Sequence, residues 1–258
     1  MPKMKKKEFI KRNIRDLSYL VNSEGLSLAP NQFIRSSALY KLSKKAKAYF
    51  LSLPLTRVLD LRTDGERAKK PDFEFALVDY RHIPVVKQET LGITHERGLK
   101  AYKEPPKMES LYAHIATDPF SVAALKEAIH YLFHAPKEGA SLIHCTAGKD
   151  RAGIVTALFL TALGYDEKYI FEDYELSNKP SEKRGRRYRF WIKALLWSKR
   201  KFAQGVYEAM LASPKYLRAA FKAIENAYGN VRNYIHDALG ISDEDIAAFK
   251  KAHMVPAK

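Results

Sequence analysis

One short segment constrains the fold more than any other: the sequence HCTAGKDRAG, which runs from His144 to Gly153. Before it, Ser141 to His144 predicts a buried strand that follows the turn Lys137-Glu138-Gly139. After it, the run from about Ala152 to Leu163 is apolar nearly all round, which predicts a buried helix that ends at Gly164. A buried strand that leads through a glycine-containing loop into a buried helix indicates a layered α/β domain.

The rest of the chain continues this alternation of short β-rich runs and helical runs. A helix is predicted from Phe120 to Phe133, with Asp118 as its N-cap and Pro119 at the first helical position. Beyond Glu167 the chain reads as helical almost to its end. We therefore expect a single domain over residues 1–258, an α/β fold whose central, mainly parallel sheet is flanked by helices, with a helical C-terminal extension. The other predicted strands are Gln32–Arg35, Arg57–Leu61 and Tyr80–Ile83.

Cys145 and Arg151 are separated by five residues, and this spacing gives the segment its chemistry. A loop of this length can curl into a cradle whose backbone N–H groups point inward at the N-terminus of the following helix. Such a cradle binds a phosphate dianion through oriented amides and the helix dipole. Arg151 would add a bidentate contact to two phosphate oxygens. The predicted substrate-binding residues are Thr146, Ala147, Gly148, Lys149, Ala152 and Gly153.

The same positive field would hold Cys145 as a thiolate, with its pKa lowered from about 8.5 into a range of roughly 3.5–7.5. A thiolate that faces a bound phosphorus atom is a nucleophile for in-line displacement, which gives a phosphocysteine intermediate. Asp150 is the preferred general acid for the leaving oxygen, and the base that activates water in the second step. Asp60, at the end of a neighbouring strand, is the reserve candidate. We predict no cofactor and no metal, because this mechanism needs neither and the histidines show no metal-ligand spacing.

Other interpretations of the segment fit less well. A Walker A loop would need Gly at position 143 and Ser or Thr at position 150, where this chain has Ile143 and Asp150. In a papain-like protease, the residues from Gly148 to Arg151 would have no role. A lone cysteine at a strand end is most often a core thiol, but its combination with internal glycines and a following apolar helix is uncommon.

The segment HCTAGKDRAG resembles the HCxAGKDRTG signature of bacterial tyrosine phosphatases of the mycobacterial phosphatase-B type, with their dual-specificity and phosphoinositide-phosphatase relatives. The resemblance extends over most of the chain and implies a cysteine-phosphatase-like fold. It also implies that Cys145 is the nucleophile, Asp150 the acid and base, and Arg151 the phosphate clamp, with Lys149 in contact with further substrate phosphates. Similar motifs lie at Asn13–Asp16 (NxRD), Ile34–Leu39 (RSxxL), Asp60–Arg62 with Glu66 and Pro71-Asp72, and in the C-terminal region at Ser213–Leu217, Tyr228-Gly229 and Leu239–Ser242.

Three departures from the family pattern stand out. Ala152 replaces the Thr or Ser that follows the arginine, so the hydroxyl that would assist the leaving thiolate in the second step is missing. Ser18-Tyr19 replaces the glycine pair that often follows the NxRD motif, which leaves the geometry of that turn open. No separate acid loop of the WPD type is evident, since Asp118-Pro119 is better explained as a helix start.

Positive charge is the most unusual bulk property. The 45 Lys and Arg residues against 29 Asp and Glu give a net charge of +16, which favours anionic partners. Nine basic residues and no acidic one lie between Lys183 and Lys201, interleaved with aromatic and apolar side chains. This stretch predicts a basic amphipathic helix, and three roles stay open: packing on the core, direct contact with an anionic membrane surface, or a lid. The resemblance places a mobile helical lid here, over residues 183–228.

Several side chains near the segment admit two interpretations. Lys149 contacts a second substrate phosphate, or it is a solvated loop lysine that only raises the local potential. His144 orients the loop and tunes the thiolate, or it is a hydrogen-bonded structural residue. Arg15, Arg62 and Glu66 are expected to form a buried ion-pair support behind the loop.

The expected function is hydrolysis of phosphotyrosine in proteins, with phosphoserine, phosphothreonine and phosphoinositides as further candidate substrates. The alternatives are a dedicated phosphoinositide or inositol-phosphate phosphatase and a phosphate-binding module with little turnover. Specific nucleic-acid binding rests on net charge alone and is not expected. The basic N-terminus is not followed by an apolar run, so we expect a cytoplasmic protein, with secretion by a specialised route left open. The sequence indicates no oligomeric state.

Overall fold

A five-stranded sheet forms the centre of the computed structural model, which describes residues 6–90, 107–180 and 200–257. The strand order is β1-β3-β6-β4-β5, in which β3, β6, β4 and β5 are parallel and the short edge strand β1 is antiparallel. This arrangement confirms the predicted α/β fold with a mainly parallel sheet. The strands are β1 (Arg15–Asp16), β2 (Leu26–Leu28), β3 (Phe33–Ser37), β4 (Leu55–Asp60), β5 (Asp79–His82), β6 (Ala140–Cys145) and β7 (Met254–Pro256).

All four predicted strands are present as β3 to β6, with ends displaced by one or two residues. Strand β3 continues through Ser36 and Ser37, because its pairing with β6 runs from Phe33 opposite Ser141 to Ser37 opposite Cys145. All six residues of β6 are buried, as expected for the central strand of a parallel sheet covered on both faces.

The helices pack on both faces of this sheet. On one face, Ile34, Val58 and Leu142 form a cluster with residues of α2; on the other, Leu59 and Ile143 pack beneath α4, α5 and α6. The alternation of adjacent residues between the faces is the period-two pattern of a strand. The helices are α1 (Lys6–Arg12), α2 (Lys44–Ser52), α3 (Asp64–Lys69), α4 (Met108–Thr117), α5 (Pro119–Phe133), α6 (Asp150–Ala162), α7 (Glu167–Leu176), α8 (Arg200–Met210), α9 (Pro214–Tyr228) and α10 (Asp243–His253).

Helix α5 begins as predicted. Pro119 occupies its first turn, and the Asp118 side chain accepts a hydrogen bond from the Ser121 backbone N–H at 3.1 Å. The Asp118-Pro119 pair is therefore a helix start.

The turn at Ser18-Tyr19 is also defined, since Leu17–Tyr19 forms a short 3-10 helix capped by the Asp16 carboxylate.

Helix α6 begins at Asp150, two residues before the predicted start at Ala152, so Asp150 and Arg151 belong to its first turn. The predicted burial of this helix is confirmed on all sides. Around Phe159, four phenylalanine rings pack with centroids between 5.0 and 5.7 Å apart. They are Phe33, Phe133, Phe159 and Phe249.

The C-terminal region is mostly helical, as predicted, but it ends in a strand that the sequence did not indicate. Strand β7 pairs antiparallel with β2, so Leu28 lies opposite Met254. Within the predicted lid, residues 183–199 lie outside the described residues, and residues 200–228 contain α8 and α9. Helix α9 packs along α4, where the Tyr216 ring lies against that of Tyr112. Among the described residues, no helix has the length and apolar character needed to cross a membrane.

Candidate active site

The predicted cradle lies at the carboxyl end of the central strand. Strand β6 ends at Cys145 and α6 begins at Asp150, so residues 146–149 form the connecting loop. Ligands of parallel α/β sheets bind at this edge, beyond the carboxyl ends of the strands. Cys145 is buried, as are Gly148, Lys149, Asp150, Arg151, Ala152 and Gly153.

Gly148 is required by the shape of the loop. Its φ of +67° lies in the left-handed region, and a Cβ at this position would overlap the backbone of Ser36 and Ser37 in β3. Any other residue would be both strained and in steric conflict with the neighbouring strand.

The loop carbonyls are held from behind by two side chains. Asn13 Nδ2 donates to the carbonyl oxygens of Ala147 and Gly148 at 3.3 and 2.8 Å. Arg35 donates to the carbonyl oxygens of Gly148 and Lys149 at 3.0 Å each. In a trans peptide the carbonyl and the following N–H point in opposite directions. The N–H groups of Gly148, Lys149 and Asp150 therefore point away from this buried support.

Asp173 of α7 neutralises the cations behind the loop. Its carboxylate lies 2.6 Å from Arg15 Nε and 2.7 Å from Arg35 Nη1, and it accepts a hydrogen bond from the Tyr19 hydroxyl at 2.8 Å. Burial by itself raises the pKa of Asp173, but the two guanidiniums outweigh burial and lower it to about 2. Burial, followed by the Arg15 cation, lowers the pKa of Arg35 to about 10. Both members of this buried pair are thus charged at neutral pH.

Arg151 is oriented by Glu66 of α3. Its Nη1 and Nη2 donate to the two Glu66 carboxylate oxygens at 2.5 and 2.9 Å, a bidentate pair. The Thr146 hydroxyl donates to the same carboxylate. Glu66 is also the third residue of α3, where it completes a capping box with Thr63. One carboxylate thus links the start of α3 to both ends of the loop.

The predicted joint support by Arg15, Arg62 and Glu66 is wrong, because the structure places these residues in three separate groups. Arg15 pairs with Asp173 and Glu66 pairs with Arg151. Arg62 lies 2.7 and 2.6 Å from carboxylate oxygens of Asp60 and Asp72. Only the Arg15–Asp173 pair lies behind the loop carbonyls. Glu66 instead holds Arg151, the arginine of the cradle.

His144 is fully buried beside this third group, with Nε2 3.3 Å from Asp72 Oδ2 and Nδ1 3.8 Å from Asp60 Oδ1. The ligand atoms of His144, Asp60 and Asp72 all lie within 4.8 Å of one another, a spacing that could hold a metal ion. Arg62 already bridges the two carboxylates, so a metal would have to displace a buried guanidinium. The absence of a metal stays a prediction.

Asp60, the reserve acid, is bound within this group. Burial alone raises the pKa of Asp60, but His144 and the Arg62 guanidinium outweigh burial and lower it below its ordinary value. A carboxyl that is held ionised by a buried guanidinium is a poor proton donor.

Asp150, the preferred acid, has a different environment in the first turn of α6. Its Oδ1 accepts a hydrogen bond from the Tyr112 hydroxyl of α4 at 2.7 Å, and lies 3.3 Å from Lys149 Nζ. The Tyr112 hydroxyl is in turn 2.6 Å from the Tyr174 hydroxyl of α7. Neither tyrosine was singled out from the sequence, since both belong to helices remote from the motif.

Lys149 is 2% exposed, so the solvated-lysine alternative is wrong. Its Nζ donates to the backbone carbonyls of Ala209 and Leu211 at 2.8 and 3.2 Å, at the C-terminal end of α8. The contact between Lys149 and a second substrate phosphate stays a prediction, as do the substrate contacts of Ala147, Ala152 and Gly153.

A cysteine at the end of a central parallel strand, with an arginine in the first turn of the next helix, is the arrangement of the cysteine-dependent phosphatases. The fold of this chain is therefore cysteine-phosphatase-like. A model of the tyrosine phosphatase family matches residues 11–255, so the chain belongs to the tyrosine phosphatase family.

Two curated relatives match most of this chain. The triple specificity protein phosphatase PtpB of Mycobacterium tuberculosis is 26% identical over 266 residues, which cover 91% of this chain and 93% of that protein. A protein of Cupriavidus necator, provisionally named a tyrosine-protein phosphatase, is 28% identical over 235 residues, or 89% of this chain and 82% of that protein. Among solved structures, TpbA of P. aeruginosa is similar, with 19% identity and a TM-score of 0.37 over 72% of this chain and 90% of that chain.

Proposed function

We propose that this member of the tyrosine phosphatase family hydrolyses phosphotyrosine in proteins through a phosphocysteine at Cys145. The observation that carries the proposal is the buried support of the loop, in which Arg35 and Asn13 bind the loop carbonyls. This support directs successive N–H groups to the side on which a phosphate would bind. The helix dipole of α6 and the Arg151 guanidinium add to the same field.

In the first step, the Cys145 thiolate attacks phosphorus and forms a P–S bond while the P–O bond to the tyrosine breaks. Asp150 gives its proton to the leaving oxygen, so the dephosphorylated tyrosine departs neutral. In the second step, the Asp150 carboxylate takes a proton from a water molecule whose oxygen attacks phosphorus. The P–S bond breaks, the thiolate is restored, and inorganic phosphate leaves.

Asp150 is a better candidate for this acid than Asp60. Asp150 lies in the first turn of α6, one residue before the phosphate clamp Arg151. Asp60 is bound by Arg62 and lies beside His144, on the strand side of the nucleophile. Proton transfer by Asp60 would require an ion pair to open first.

Phosphoserine, phosphothreonine and phosphoinositides are proposed as further substrates. The printed name of the mycobacterial relative, a triple specificity phosphatase, supports a broad substrate range. The net charge of +16 favours polyanionic substrates, and a membrane surface that carries phosphoinositides is one source of them.

The test is phosphate release from a phosphotyrosine peptide and from a short-chain phosphoinositide, with Cys145→Ser as the blank. Release from the peptide that is absent in the blank supports a protein tyrosine phosphatase. Comparable or faster release from the lipid would instead favour a phosphoinositide phosphatase. Tight phosphate binding with no Cys145-dependent release from either substrate would contradict the proposed reaction and leave a binding module.

A further inference from the structure

Tyr112 of α4 makes a contact that the proposed reaction leaves unexplained. Its side chain is fully buried, and its hydroxyl donates to Asp150 Oδ1 at 2.7 Å across 38 positions of sequence. We propose that Tyr112 is a positioning residue, which fixes the carboxyl group of Asp150 for proton transfer to the leaving oxygen. The inference rests on the proposed acid role of Asp150.

The direction of the hydrogen bonds follows from the supply of protons. Each tyrosine hydroxyl carries one proton, and an ionised Asp150 only accepts. Tyr112 therefore donates its hydrogen bond to Asp150, and the Tyr174 hydroxyl, at 2.6 Å, donates its own to the Tyr112 oxygen. Burial, followed by the charge of Asp150, raises the pKa of both tyrosines well above the ordinary value, so both remain donors at neutral pH.

The contacts also separate the two oxygens of the carboxyl group. Tyr112 and Lys149 both lie against Oδ1, so the proton that reaches the leaving group belongs on Oδ2. The Tyr112 hydroxyl and the nearby Lys149 ammonium hold the plane of the carboxyl group. Without them, Asp150 would rotate between orientations, and the distance over which it donates a proton would vary.

The Tyr112 ring is held independently of its hydroxyl. Its centroid lies 5.8 Å from that of Tyr216 in α9 and 6.1 Å from that of Tyr174 in α7. Tyr112→Phe therefore removes the hydroxyl while the ring packing is retained. Tyr234→Phe is the matched control, because the Tyr234 side chain is equally buried and its hydroxyl has no hydrogen-bond partner within the described residues.

The experiment compares phenyl phosphate, whose leaving group needs a proton, with para-nitrophenyl phosphate, whose leaving group does not. For Tyr112→Phe we expect kcat/KM on phenyl phosphate, which reports the first step, to fall about 10-fold, less than the roughly 10²–10⁴-fold that a general acid contributes. kcat/KM on para-nitrophenyl phosphate should change little, because its leaving group needs no proton. Tyr234→Phe should resemble the wild-type enzyme on both substrates.

Asp150→Asn distinguishes failure of this inference from failure of the acid role. The Tyr112→Phe change should cause no further loss on phenyl phosphate when it is added to Asp150→Asn. If Tyr112→Phe lowers kcat/KM equally on both substrates, or lowers it further in the double variant, Tyr112 is merely structural and the inference is overturned. Equal losses of Asp150→Asn on both substrates would overturn the acid role itself.

Discussion

Each functional side chain of the loop is held by a group from a distant part of the chain. Arg151 is paired with Glu66, Asp150 accepts from Tyr112, and Lys149 donates to carbonyls at the end of α8. Rigid placement of this kind is what catalysis by positioning requires, because small misplacements of reacting groups cost large factors in rate.

Gly148→Ala tests the shape of the loop. A Cβ at this position would overlap the Ser36 backbone at a left-handed φ, so we expect a loss of phosphate affinity and of stability. Gly25→Ala is the control, since Gly25 has φ +75° and nothing within 4 Å of its added Cβ. The control should cost about 1–2 kcal/mol for the backbone conformation alone, and Gly148→Ala about 1–3 kcal/mol more for the overlap. Urea unfolding measures both, and equal losses would contradict this account of the loop.

At the residue scale, the sequence predicts the motif but not its partners. The spacing of Cys145, Asp150 and Arg151 predicts a cradle because the three residues are close in sequence and lie between a strand and a helix. The hydrogen bonds of Tyr112 and Glu66 depend on how separate helices pack, and local spacing carries no information about that packing.

At the scale of elements, the loop is the point where several helices meet. Helix α7 supplies Asp173 and Tyr174, α3 supplies Glu66, and the end of α8 supplies the carbonyls that bind Lys149. A second link comes from Asn178, whose side chain exchanges two hydrogen bonds with the backbone of Ala212, between the end of α8 and the start of α9. The C-terminal helices are thus attached to the loop itself.

Lys149→Met tests this attachment. Loss of two charged hydrogen bonds, each contributing about 1.5–3 kcal/mol, should lower the amide exchange protection of residues 204–210 by at least about 100-fold. Protection in β6 should stay unchanged. Lys250→Met, which removes an ion pair with the exposed Glu24, serves as the control and should leave residues 204–210 as they are. Unchanged exchange in Lys149→Met would show that other contacts hold α8.

The sequence predicts those helices and strands whose local residue pattern is strong. It does not predict a strand that forms only by pairing with a strand distant in sequence. The cap of α5 and the buried strand β6 follow from nearby residues. The sequence predicts a helical region over strand β7, because its three residues become a strand only by pairing with β2. The early start of α6 was missed because the first helical turn is also part of the cradle.

At the scale of the whole molecule, net charge and buried charge act differently. The surplus of +16 attracts any anion and does not select a substrate. The buried pairs around Asp173 instead hold the parts of the fold together, because Asp173 joins α7 to Arg15 of β1 and Arg35 of β3. The network behind the loop is therefore expected to contribute to the stability of the fold.

Asp173→Asn tests the contribution of that network to stability. Removing this carboxylate leaves two buried cations uncompensated, so the free energy of unfolding at neutral pH should fall by about 3–5 kcal/mol. Asp243→Asn, at an exposed pair with Arg232, should cost less than about 1 kcal/mol. Comparable losses in the two variants would contradict the structural role of Asp173.

The same carboxylate predicts how stability depends on pH. The pKa of Asp173 is about 2 in the folded state and about 3.9 in an unfolded chain. A lowered pKa stabilises the fold above the unfolded value, and that contribution is lost as pH falls through the folded value. Unfolding at a series of pH values should show about 2 kcal/mol lost between pH 4 and pH 2, and this part of the loss should be absent in Asp173→Asn.

The central claim is that Cys145 carries the phosphoryl group during turnover. The most direct measurement is rapid acid quenching during turnover of a phosphotyrosine peptide, followed by mass spectrometry of the fragment that contains Cys145. The account predicts a phosphoryl group on Cys145 that appears before free phosphate and is absent in Cys145→Ser. Phosphate release without any phosphorylated Cys145, or release that persists in Cys145→Ser, would contradict it.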